Sequence, residues 1–138
     1  MNMNLVTFLH VIIESGFALL CLLATLSMRL YDTGGRKAAK VLTWSLLMNT
    51  VINIADACAY VYRGDTSDIG YNMVRISNFA VFAGMFALLA LGNKLLDALL
   101  EEVGAGEDKR QRNAVYGICA AGVMLLIFSF PKNGSSFV

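Results

Sequence analysis

Four long apolar stretches, each bracketed by charged residues, organise this chain. The first runs from about Leu5 to Met28 and contains one acid, Glu14. The second lies between Lys40 and Arg63 and contains one acid, Asp56. The third, between Arg75 and Lys94, and the fourth, between Arg112 and Lys132, carry no charge. The hydrocarbon core of a bilayer is about 30 Å thick and is crossed by a helix of roughly 20 apolar residues. Inside lipid every backbone polar group must be bonded within its own segment, which selects helices. Membrane strands would alternate polar and apolar positions, and Phe17-Ala18-Leu19-Leu20-Cys21-Leu22-Leu23-Ala24 does not. The pattern predicts an all-α integral membrane bundle of four transmembrane helices in a single domain, over about 5–28, 38–62, 72–102 and 112–131.

Between the spans, Thr33-Gly34-Gly35 and Gly104-Ala105-Gly106 read as turns, because glycine accepts the positive φ that ends a helix. Before the second of these turns, Leu95, Leu96, Leu99, Leu100 and Val103 alternate with Lys94, Asp97, Glu101 and Glu102 at helical spacing. The third helix is therefore expected to continue past the membrane as an amphipathic extension. Lysine and arginine concentrate on the cytoplasmic side of membrane proteins. Loops one and three hold eight such residues, among them Arg29, Lys40, Lys94 and Arg112, against three (Arg63, Arg75 and Lys132) elsewhere. This places loops one and three inside and both termini outside a cytoplasmic (inner) membrane. The first span has no basic leader and no A-x-A cleavage site, so it reads as a retained helix. Tyr60, Tyr62 and Tyr71 fall at the expected outer interface and Tyr31 at the inner one.

Composition narrows the function classes. Hydrophobic residues make up 57% of the chain and charged residues 15%, against about 25% charged in an average soluble domain. An ordinary soluble enzyme, a disordered regulator and a nucleic-acid binder are excluded, and a net charge of +1 gives no attraction for an anionic polymer. The partner the composition demands is the lipid bilayer. No nucleophile elbow, P-loop, HExxH or dinucleotide fingerprint is present, so no catalysis and no cofactor are expected. Cys21, Cys58 and Cys119 lie in different spans without a CxxC pair and read as packing residues. The lone His10 reads as an interfacial residue, and no metal site is expected. Ser15-Gly16, Ala83-Gly84 and Ala120-Ala121-Gly122 read as close helix contacts.

The acids within the spans carry the candidate chemistry. A charge at membrane depth costs at least about 2.5 kcal/mol. A rise of about 1.5 Å per residue puts Glu14 roughly 13 Å and Asp56 roughly 9 Å below the outer ends of their helices. His10 is one turn above Glu14. Asn49, Asn53, Asp56 and Tyr60 form one stripe on the second helix, and Arg75 and Asn78 share the outer end of the third. Lipid offers such groups no partner, so they are expected to face the interior around a polar pocket that opens outward. Glu14, Asp56, Asn53, Arg75 and Asn78 are the candidate ligand-binding residues, with an Asp56–Arg75 pair across the pocket mouth. The alternative for Asn49, Asn53 and Asn78 is hydrogen-bond glue between helices.

Asp56-Ala57-Cys58-Ala59-Tyr60 with Gly64 resembles an Asp-Ala-x-x-(Tyr/Trp)-x-x-x-Gly ending, and Asn78-Phe79 with Phe82 resembles an Asn-Phe-x-x-Phe start. Both are similar to the second and third spans in the N-terminal membrane regions of bacterial sensors that precede diguanylate cyclase (GGDEF) or histidine kinase domains. The likeness covers about residues 5–102. It implies a non-catalytic sensory input module of a bacterial signal-transduction protein, whose partner is a cytoplasmic output domain or signalling protein, with a homodimer as one assembly. Four spans leave the C-terminus outside, so a fifth span or a separate partner is expected to carry the output. Two other classes remain open. Small multidrug exporters are also short four-helix proteins with one membrane glutamate in the first helix, and Glu14 is similar in kind. An accessory or structural four-helix membrane protein is the third.

Overall fold

The computed structural model describes residues 5–30, 36–104 and 109–129, apart from the side chains of Lys109 and Gln111. The Thr33-Gly34-Gly35 turn, Tyr31, most of Gly104-Ala105-Gly106 and the chain beyond Ser129 lie outside the described residues. The described residues form four helices: α1 (Leu5–Leu30), α2 (Lys37–Tyr62), α3 (Asp68–Glu102) and α4 (Lys109–Ser129). All four are long and apolar enough to cross a membrane. The all-α, four-span architecture read from the hydropathy is the one observed.

α3 is the longest element, at 35 residues, and starts at Asp68, one turn ahead of the position expected from its apolar run. The early start has a local cause. Gly64 takes a φ of +90°, which reverses the chain after α2. The Asp65 carboxylate then accepts from the Ser67 backbone N–H at 2.9 Å, and the Ser67 hydroxyl caps α3 by accepting from the Gly70 N–H at 3.1 Å. A side chain at Gly70 would collide with Asp65, so the turn closes tightly. At its other end α3 runs on as a helix to Glu102, the continuity expected from the helical spacing of Leu95 to Val103.

Neighbours in sequence are neighbours in space: α1 packs on α2, α2 on α3 and α3 on α4. Among the described residues α1 touches neither α3 nor α4, and α2 does not touch α4. The bundle is therefore an open row with α2 and α3 at its centre. The buried positions are small or β-branched: Val41, Ile52, Ala57 and Ala59 on α2, Val81 and Ala98 on α3, Ala18 on α1 and Cys119 on α4. Small residues let backbones approach where lipid gives no hydrophobic drive for association. Gly84 meets the Ile52 side chain across the α2–α3 seam, and Gly122 meets the Phe86 ring across the α3–α4 seam. Gly16 departs from its expected packing role: it is exposed, with nothing within 4 Å of where a Cβ would stand, because α1 has only one neighbour to pack against. Large residues such as Phe17, Leu20, Phe82 and Leu125 point away from the protein, as lipid-facing positions do. Thr25, Thr43, Ser45 and Thr50 donate to the carbonyl four residues back in their own helices, so their hydroxyls are satisfied locally.

Candidate functional site

The antiparallel α1–α2 pair brings the start of α1 to the end of α2. There the His10 imidazole stacks on the Tyr60 ring, with centroids 4.6 Å apart and planes at 28°. The stack is oriented from α1, where His10 Nδ1 donates to the Val6 carbonyl at 2.9 Å. The Arg63 guanidinium carbon stands 5.8 Å from the centre of the same Tyr60 ring, within cation–π range. Tyr60 thus collects an imidazole from α1 and a guanidinium from its own helix. One turn deeper, Glu14 follows His10 on α1 and Asp56 precedes Tyr60 on α2.

Two clefts adjoin this group. The first, about 280 Å³, lies between α2 and α3 and is lined by Asp56, Ala59, Tyr60 and Arg63 with Val74 and Asn78. Tyr60 and Arg63 also line the second, about 360 Å³, which is completed by Val6, Thr7 and His10 of α1. A further cleft of about 380 Å³ over the α2–α3 turn holds Arg75 and Asn78 together with Asp65 and Arg63. Asp65 is outside the spans, and the backbone N–H and hydroxyl of Ser67 hold its carboxyl below the usual carboxylate range.

The residues singled out in the sequence are therefore brought to one end of the bundle, but not to one point. Asp56 and Asn78 share the first cleft. Arg75 lines the neighbouring cleft with Asn78, and it is Arg63 that shares a cleft with Asp56. Asn78 is exposed rather than interior, because α1 does not reach across α2 to cover that flank of α3. The asparagine stripe of α2 divides. Asn49 donates to the Cys21 sulfur at 3.1 Å and ties α2 to α1, which is the glue role. The Asn53 amide nitrogen is buried with no hydrogen-bond partner among the described residues, one turn below Asp56. Arg63 and Thr7 were not singled out beforehand. Arg63 had a signal, its i, i+3 spacing from Tyr60, masked by its ordinary role as a charge flanking a span.

A carboxylate, a guanidinium, a phenol and an amide face one small space, which suits a polar occupant that both donates and accepts hydrogen bonds. The fold and site together define an all-α, multi-span protein with polar clefts at one end of its helices. Comparison with known protein families, with characterised proteins and with solved structures gives no match for the chain.

Proposed function

We propose that the chain is a non-catalytic sensory input module of a cytoplasmic membrane, with both termini and the Tyr60 clefts on the outer side. The observation that carries this reading is the continuity of α3. One helix of 35 residues, roughly 50 Å long, contributes Val74 and Asn78 to the polar cleft. Near its other end the same helix offers Glu101 to Lys37, with Nζ–O distances of 2.6 and 2.9 Å. An occupant that favours one packing of α2 against α3 displaces a rigid element, and the displacement arrives at the far end. A cytoplasmic output domain or a separate signalling protein reads it there.

The test perturbs the cleft and reads the opposite end. Spin labels at Ser27 of α1 and Leu99 of α3, both positions at the basic end, report the spacing of these helices in vesicles. Glu14→Gln with Asp56→Asn removes both carboxyl groups, and the label distance is expected to shift from that of the native chain. An unchanged distance would overturn the coupling. A second reading, a proton-coupled transporter, is favoured by the placement of the acids Glu14 and Asp56 one turn below the stacked His10 and Tyr60. In proteoliposomes the native chain is expected to show no cation-driven proton movement. Such a flux, lost on Glu14→Gln, would replace the sensory reading with transport.

A further inference from the structure

At the end of the bundle opposite His10 and Tyr60, a cleft of about 430 Å³ is lined by residues of three helices. α2 contributes Lys37 and Lys40, α3 contributes Lys94, and α4 contributes Arg112. Asp97 and Glu101 of α3 offset two of these four charges, which leaves the cleft at +2. Its apolar lining is Val41 and Ala98, both buried, and its aromatic edge is Tyr116. The cleft exists because α2 and α4 flank α3 without touching each other, so the basic walls stand on either side of an open groove over α3.

Membrane topology alone asks only that cations flank the spans. It does not ask that cations from three helices converge on one groove. The convergence also runs against local electrostatics. α2 begins with Lys37 after Arg36 and has no acid in its first turn, the reverse of what the positive end of a helix dipole favours. The Lys37–Glu101 ion pair is too exposed, at 71% and 54%, to compensate for that arrangement. The same dipole favours an anion at the start of α2. A basic pocket between helices at the membrane edge, with apolar surface beneath it, matches the chemistry of a phosphate diester attached to acyl chains.

We infer that the groove walled by Lys40, Lys94 and Arg112 is a phosphate-headgroup site for an anionic phospholipid, whose chains lie along the α2–α4 gap over α3. Lys40 and Arg112 reach the phosphate from opposite walls, and Tyr116 supplies an interfacial ring beside it. The site is independent of the outer clefts and of any function assigned to them.

Trp44, the only tryptophan in the chain, is exposed on α2 one turn beyond Lys40 and serves as the reporter. The full chain is reconstituted in phosphatidylcholine vesicles containing brominated phosphatidylglycerol or, separately, brominated phosphatidylcholine. Quenching of Trp44 is expected to show a preference for the phosphatidylglycerol of roughly fivefold per engaged cation. Lys40→Gln with Arg112→Gln is expected to abolish the preference, and Lys40→Arg with Arg112→Lys to keep it. Arg29→Gln with Arg36→Gln removes as much charge from the same end but outside the groove, and is expected to leave it intact. Equal quenching by the two lipids in the native chain overturns the proposal whatever the variants do. So does an equal loss in the two glutamine pairs, which would mean a diffuse surface attraction. Excess inorganic phosphate in the buffer is expected to change nothing, and reversal of the preference by it would assign the groove to a free phosphate instead.

Discussion

Tyr60 is the residue on which the candidate site turns, because both His10 and Arg63 address its ring. A stacked ring pair contributes about 0.5–1.5 kcal/mol beyond the area it buries. A double-mutant cycle with His10→Leu and Tyr60→Leu, followed by thermal unfolding in detergent, is expected to return a coupling of about that size. Strict additivity would show that the rings do not interact. Asp65 gives a second prediction at this scale. Its folded-state carboxyl titrates below its unfolded value, so its contribution to stability is complete above the ordinary value of about 4 and is lost as pH falls through the depressed midpoint. A carbon-13 titration of the Asp65 carboxyl is expected to show that low midpoint, and Ser67→Ala to raise it by removing one donor. The two membrane acids were legible in the sequence, since a charge in lipid is costly enough to stand out against any apolar run. Arg63 was not: a cation at the end of a span looks the same whether it anchors the helix or lines a cleft.

The helices themselves were almost fully legible as elements, because crossing a bilayer imposes a length and an apolar composition that soluble helices do not share. What hydropathy does not encode is which helix touches which. Polar residues were expected to turn inward, and Asn78 is exposed because the row is open on that side. Close packing between helices is concentrated at Gly84 and Gly122, which differ in kind from Gly16. Gly84→Val would drive its branches into Ile52 and is expected to destabilise the α2–α3 seam by about 1–3 kcal/mol. Gly16→Ala has open space and is expected to leave stability unchanged or to raise it by up to about 1 kcal/mol through helix propensity. Thermal unfolding of the two variants side by side checks both. Similar losses in the two would contradict the different surroundings of these glycines.

At the scale of the molecule, the row of helices has two chemically distinct ends. One gathers His10, Glu14, Asp56 and Tyr60, and the other gathers Lys37, Lys40, Lys94 and Arg112. The excess of lysine and arginine predicts that the second end faces the cytoplasm. With the three native cysteines replaced, Thr66→Cys is expected to react with an impermeant thiol reagent on intact cells and Glu102→Cys to react only after the membrane is opened. The reverse pattern would turn the protein over and move the Tyr60 clefts inside. The neighbour-to-neighbour packing of α1, α2, α3 and α4 also bears on how the chain is made. Each span, on leaving the ribosome and entering the bilayer, finds its docking surface on the span just synthesised and waits for nothing downstream. Assembly can proceed as a ratchet in step with translation, without the long loop closures that slow folds of high contact order.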